Sequence, residues 1–368
     1  MVALAVIACV VRASMSARLG PDLIGNVTGG HFALHDVARM YDRDAQHAYE
    51  IGVTQSPLFL DVFISPPHTA LFFAPLSTLP FRVAFVVFTA LSIAAFVLAL
   101  AKARGLAPDD RTFATFALAF AASEPFAETI VIGQTSGFML LVWVFGVSLA
   151  IEKRDVAAGM ILGLGALKPQ LFLMVPVVLV ARARWRMLGA FLATGATLVA
   201  IGALACGSHA YVAWVDLLRS PAYADIREAN MFHMCSIEAL LHGLPFAMVV
   251  HALVALAAVV MLFSFARRTE IRGAQRSDSR GEAPDREDEA RVWAAAILVT
   301  LFATPHLIIY DAVLFIVPAL VLAPDAAKNR ATRIAVVATF GLAWLVSVAH
   351  VPILSLPFVY LAWRVMSV

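Results

Sequence analysis

The sequence predicts an all-α, polytopic transmembrane helix bundle, on three observations. Hydrophobic residues make up 61% of the 368 residues and charged residues only 14%, against about a quarter charged in an ordinary soluble domain. Mean hydropathy is +0.86. The apolar residues come in long continuous runs, not in the roughly ten-residue alternating segments of an outer-membrane barrel. A net charge of +2 with scattered basic residues gives no footprint for nucleic acid. Cys9, Cys206 and Cys235 lie far apart with no CxxC pair, so neither a disulfide framework nor a zinc site is expected.

Taken in order, residues 2–11 are apolar but too short for the roughly 20 residues of a spanning helix. Without the basic leader of a signal peptide, they are expected to be the outer half of a first membrane helix. Arg12 and Arg18 then fit poorly on the outer side. Residues 14–67 form a first outer loop whose polar core, from Gly30 to Pro67, gathers His31, His35, Asp36, Arg39, Asp42, Asp44, His47, Glu50 and Asp61. Phe32, Ala33, Val37, Met40 and Tyr41 recur there at helical spacing, which predicts a helix along the membrane surface. Asp42 and Asp44 are alternate residues that point apart on a helix, so they make no metal pair.

A short proline-bounded piece, 68–80, precedes a full span over 83–101. Basic stations then recur at Lys102, Arg104 and Arg111; Lys153 and Arg154; Arg182, Arg184 and Arg186; Arg267 and Arg268; Lys328, Arg330 and Arg333; and Arg364. Read as cytoplasmic, they require the intervening segments to go out and return. Residues 113–152 do so as a hairpin with SEPFAETIVIGQTSG as its outer turn. Residues 156–181 are too few for two spans, and predict two short helices meeting inside the membrane at Lys168 and Pro169. A second outer loop covers 207–245. The segment 267–291, almost wholly polar, reads as a flexible cytoplasmic linker. Residues 292–323 go out and back around TPHLIIYD, and 334–368 close the chain as two helices meeting near His350 and Pro352. About twelve membrane segments result, several short or broken, in one membrane domain, 1–368.

Several polar residues stand out against this background. Lys168, amid apolar residues in GLGALKPQLFL, is expensive unless paired or hydrated, and marks a binding position; the bland alternative is snorkelling to an interface. Pro169 frees carbonyls, so Gln170 and its neighbours are expected to line a cavity. Gln134 in GQTSG offers an amide at a hairpin turn, where Thr135 or Ser136 equally serves as a helix cap. His306 and Tyr310 share a helical face beside Asp311. Arg227 in the second loop has the fork that binds phosphate, although surface ion pairing is its commoner use.

These stretches together resemble glycosyltransferase family 87, membrane enzymes of GT-C architecture that depend on polyprenol-phosphate sugars. The resemblance rests on FISPPHTALFFAPLSTLPF, GQTSGFMLL, AAGMILGLGALKPQLFLMVPVVLVARARWR, MCSIEALLHGLP and TPHLIIYDAVLF, and runs from about His31 to Pro318. It implies inverting transfer of a mannose-like hexose or a pentose from a polyprenyl-phosphate donor, a co-substrate rather than a cofactor, to a glycan or lipid acceptor. It places that reaction on the periplasmic face of a plasma-membrane protein, with no nucleic acid involved. A phosphate leaving group needs little acid help, so the site needs a base near the acceptor hydroxyl and cations or dipoles for the phosphate. No GxGxxG or P-loop context is present. Where the family has an Asp-Phe step, the corresponding pair here reads His31-Phe32. The resemblance therefore implies His31 or Asp36 as base and His306 as a second, with Gln134, Lys168, Gln170, Arg227, Tyr310 and Asp311 binding substrate. A flippase for lipid-linked sugars and a non-catalytic assembly subunit are the competing classes.

Overall fold

The computed structural model describes residues 1–14, 19–56, 61–280 and 286–367, with the side chains of 274 and 276–280 left aside. The described residues form helices and turns, and their one isolated antiparallel bridge joins Met234 to Ile308. Among the described residues four helices are long and apolar enough to cross a membrane: Phe81–Leu106, Trp185–Cys206, Ala247–Gly273 and Arg330–Ala349. A fifth is possible if Asp110–Ala121 and Glu124–Ile132, bent by 49°, count as one span. The expected twelve segments are therefore not seen as twelve spans. Length is the reason: Val2–Ser14, Ser136–Ile151, Asp155–Leu167, Pro169–Ala181 and Ile309–Val321 are apolar but short.

The pillar of the bundle is Arg286–Ala303, buried without interruption from Glu289 to Ala303. Around it pack Ser136–Ile151, Met174–Ala181, the long helix Ala247–Arg280, and Ser355–Ser367. Trp143 and Trp293, both fully buried, meet edge to face at 6.2 Å, and Trp143 stacks on Phe172 at 5.0 Å. Such aromatic pairs stiffen a core that has little else but aliphatic contacts.

Three loop expectations are revised. The turn predicted over 123–137 is mostly the helix Glu124–Ile132, started by Pro125 in its first turn and ended by Gly133 at φ 79°. Only Gly133 to Thr135 turns. In the first loop, Pro21–His35 and Arg43–Thr54 are separate helices, parted at Asp36, with a short 3-10 turn Val37–Arg39 between them. The segment expected as a flexible linker is helical through Arg280 and again from Arg286; residues 281–285 lie outside the described set. By contrast, the break at Lys168 is where the sequence put it, with 3-10 turns Leu164–Leu167 and Pro169–Phe172 on either side.

The two ends of the bundle are held by different ionic clusters. At the end carrying the first and second loops, Arg12 reaches Glu124 at 3.3 Å and Glu128 at 3.1 Å, and Ser347 donates to Glu124 at 2.5 Å. The poor fit of Arg12 is thereby explained, because two carboxylates expected in a solvated turn are buried beside it. At the opposite end Glu289 accepts from Arg184 at 2.6 Å, Lys153 at 3.0 Å and Trp293 at 2.9 Å, and pairs with Arg182 at 3.1 Å. Arg184 also pairs with Asp155, and Arg182 with Glu270 at 2.8 Å. The arginines of ARARWR thus tie three helices together. Glu289→Gln removes the counter-charge shared by two guanidiniums that are each less than a tenth exposed. It should cost about 3–5 kcal/mol, read as a lower unfolding temperature in detergent. An unchanged unfolding temperature would mean that the cluster contributes nothing to the fold.

Candidate active site

The site begins with the broken helix. Freed carbonyls in an apolar surrounding are costly unless paired, and here four of them are met by side chains. His68 bonds the Ala166 carbonyl at 2.9 Å, and Thr69 donates to Leu167 at 3.0 Å. Trp143 donates to Leu171 at 3.2 Å, and Thr304 to Gln170 at 3.3 Å. The His68 ring is itself fixed by Tyr211 at 2.9 Å. The Pro-Pro-His-Thr step of the first loop is therefore the clamp on the break.

So supported, Lys168 extends to Asp311, whose carboxylate is 2.5 Å from its ammonium and 2.6 Å from the Ser136 hydroxyl. The ammonium also lies 3.3 Å from Ser136 Oγ and 4.7 Å from the centre of the Tyr310 ring. Ser136 is no cap, since the Ser136–Ile151 helix starts without a side-chain cap bond and the hydroxyl serves Asp311 instead. Two hydrogen-bond partners leave one of the three ammonium donors for the space beside it.

That space is a cavity of about 410 Å³. Of the residues the sequence singled out, Gln134, Lys168, Gln170, His306, Tyr310 and Asp311 all line it. His31, Asp36 and Arg227 do not. His31 stacks on Tyr49 at 4.0 Å, five residues beyond Asn26, the last residue of its helix to line the cavity, and Asp36 caps the end of that helix. Arg227 is occupied by Glu238 at 3.0 Å, the ion-pair alternative.

The cavity instead brings in two carboxylates outside the expected site residues: Asp61, which the sequence places only among the polar groups of the first loop, and Asp22, which it does not mark. Asp22 sits in the first turn of Pro21–His35 and accepts from the Gln134 amide at 2.5 Å. Gly133 makes that contact possible: its φ of 79° turns the chain, and a Cβ there would come within 2.6 Å of Leu23 Cβ. Asp61 lies one turn along the same helix, over Gly25, where a Cβ would fall 2.5 Å from its Oδ2. A helix-start signal, Pro21 followed by Asp22 after Gly20, accompanies Asp22. It reads equally as an ordinary helix start.

The segment bearing Asp61 has no secondary structure, so its backbone groups need partners from elsewhere. Buried Glu50 accepts the Asp61 N–H at 3.1 Å and the Thr28 hydroxyl at 3.2 Å. Gln46, also buried, accepts the Phe63 N–H at 2.9 Å. Trp214 donates to Ile64 O at 2.9 Å and Tyr41 to Ser65 O at 2.8 Å. The titratable helix Arg43–Thr54 thus positions the site rather than entering it.

Burial pushes the Asp22 carboxyl up to about 6, against the Gln134 hydrogen bond that lowers it. Burial, and then the charge of Asp22, raise Asp61 well above the carboxylate range. Across the cavity, burial lowers His306, whose ring is 5.7 Å from that of Tyr223. His306 Nδ1 is buried with no hydrogen-bond partner among the described residues. The turn carrying it is seated by Cys235, whose N–H donates to Leu307 O at 2.8 Å, so MCSIEALL is the dock for TPHL. Tyr223, Ile226 and Asn230 of the second loop, with Trp214 and Leu218, close the remaining wall. Among the described residues no three His, Cys, Asp or Glu side chains are grouped to hold a metal ion.

The arrangement is a polar chamber in an apolar bundle: a paired lysine, an orphaned histidine nitrogen and two acids with upward-shifted pKa values. The sequence pattern of Glycosyltransferase family 87 matches residues 63–279, more than half of the chain. The match includes the clamp, Gln134, Lys168 and the second loop; Asp22, Asp61 and the His306–Asp311 turn lie outside it. No curated protein and no solved structure matches the chain. The chain belongs to glycosyltransferase family 87.

Proposed function

We propose that the protein transfers a sugar from a polyprenyl-phosphate donor to an acceptor hydroxyl, with inversion, and that Asp22 is the base. The observation that carries this reading is the cavity itself, which opposes an acid tuned to about 6 to the Lys168–Tyr310–His306 wall. The acceptor oxygen attacks the anomeric carbon while the bond from that carbon to the phosphate oxygen breaks. The hydroxyl proton passes to the Asp22 carboxylate, and the electron pair leaves with the polyprenyl phosphate. Lys168 and the His306 ring hold the phosphate, where charge grows as the bond breaks. Gln134 aims the Asp22 carboxylate. Asp61, its carboxyl raised by burial, hydrogen-bonds a sugar hydroxyl. His31 and Asp36 take no part in this reading.

The base assignment makes a joint expectation of rate and pH. Asp22→Asn should lower kcat by about 10²–10⁴-fold, whereas His31→Ala and Asp36→Asn should stay near wild type. Asp22 works deprotonated, so kcat/KM should fall as pH drops through about 6. Near-native transfer by Asp22→Asn in a purified assay, or an acidic limb at pH 4, would remove Asp22 from the role.

Lys168→Met keeps most of the side-chain length and loses the charge, leaving Asp311 to Ser136 alone. Donor KM should rise by about tenfold or more, and inhibition by polyprenyl phosphate product should weaken in parallel. Unchanged values for both would return Lys168 to a purely structural partner of Asp311.

The recurring Lys and Arg stations lie at the end opposite the cavity, which supports placing the cavity on the periplasmic side of the plasma membrane. A cysteine at position 242, in the second loop, should then react with an impermeant maleimide in intact cells, and one at position 272 only after permeabilisation. The reverse pattern would invert the topology.

A further inference from the structure

We propose that the apolar slot beside Lys168 receives the first isoprenoid units of the donor's polyprenyl chain; this rests on the donor reading above. The slot, about 180 Å³, lies between Pro67–Ser77, Ser136–Ile151 and the break Leu164–Leu167. Its own walls are Phe72, Phe138, Met139, Leu141, Val142 and Leu164. It shares Thr69, Thr135 and Leu167 with the polar cavity, so the two spaces meet along a common wall. Leu167 immediately precedes Lys168, and Thr135 immediately precedes Ser136. The junction is therefore at the ion pair, not at the far wall formed by the second loop.

Two further features suit a hydrocarbon occupant. A broken helix is a poor wall for an apolar chain, because bare carbonyls repel it. Here Ala166 O and Leu167 O are both taken up by the His68–Thr69 clamp, which leaves the wall dry. Phe72, one of its walls, is 44% exposed, so the slot reaches the surface of the bundle. An amphiphile with an anionic head at Lys168 and one chain along this slot leaves its sugar in the wider cavity with Asp22 and Asp61.

The larger apolar groove does not compete. It measures about 520 Å³ and lies under Val2–Ser14, lined by Val6, Val10, Ile93 and Val97. It has no lining residue in common with the polar cavity.

The test compares sugar donors carrying a farnesyl or an ethyl group on the phosphate, with Leu164→Trp and Val142→Phe filling the slot and Ile93→Trp filling the groove. For the wild type the farnesyl donor should have the lower KM. The slot variants should raise that KM by about tenfold or more while leaving the ethyl donor unchanged, and Ile93→Trp should match wild type. An undiminished farnesyl preference in the slot variants, or its loss in Ile93→Trp alone, overturns the proposal. A second measurement stands if the variants fail to fold. A polyprenyl monophosphate with a diazirine on its first isoprene unit should label wild-type protein at 138–142 or 164, and labelling confined to residues 2–13 or 85–97, or no labelling, overturns it. If the wild type uses neither donor but the slot is labelled, the transfer reading fails and the slot assignment survives.

Discussion

The ion pair between Lys168 and Asp311 is the constraint on which the site depends. Two opposite charges in an apolar bundle lose several kcal/mol each in hydration, and the loss is offset only by close geometry and added hydrogen bonds. The structure supplies both. Asp311 receives the Ser136 hydroxyl as well as the ammonium, and the ammonium sits against the Tyr310 ring. Each partner comes from a place where a helix starts or breaks: Ser136 at a helix start, Lys168 between two 3-10 turns, Asp311 within the 3-10 turn Ile309–Phe315. Three irregular points of backbone are thus made to meet, and the cavity is the room left between them.

Irregular backbone inside a bundle must be supported by side chains, and this explains why the first loop holds so many polar groups. Glu50, Gln46 and Tyr41 of that loop, with His68 and Thr69 just beyond it, support main chain rather than enter the chemistry. Their hydrogen bonds go to main-chain groups at Asp61, Phe63, Ser65, Ala166 and Leu167. They replace the ladder that a sheet would otherwise provide. The cavity itself is lined by fewer titratable residues.

Charge is also divided between the two ends of the molecule. The end away from the cavity closes on Glu289, which gathers Lys153, Arg182 and Arg184. The cavity end carries acids in excess of cations, with Asp22, Asp61 and Asp311 around Lys168. Burial raises Asp22 to about 6, and burial together with the charge of Asp22 raises Asp61. A carboxyl near 6 is ionised at neutral pH and more basic than an ordinary carboxylate, which suits the base role proposed for Asp22.

Much was legible in the sequence, because it depends on local chemistry. Composition alone dictates a membrane-embedded helical bundle, and a lysine followed by proline in an apolar run dictates a broken helix lining a cavity. Six of the nine expected site residues, from Gln134 to Asp311, line that cavity, since each lies in a motif with an intrinsic reason to be irregular. Span count was not legible: short apolar helices and the buried pillar Arg286–Ala303 have the same composition as membrane spans but differ in what packs around them. Nor was the identity of the cavity's acids. Asp22, Asp36, Asp61 and the carboxylates of Glu124 and Glu128 are alike along the chain. Only tertiary packing, through a glycine at 25 that admits Asp61 and a glycine at 133 that turns Gln134 onto Asp22, decides which of them is buried in the cavity and which pairs with Arg12.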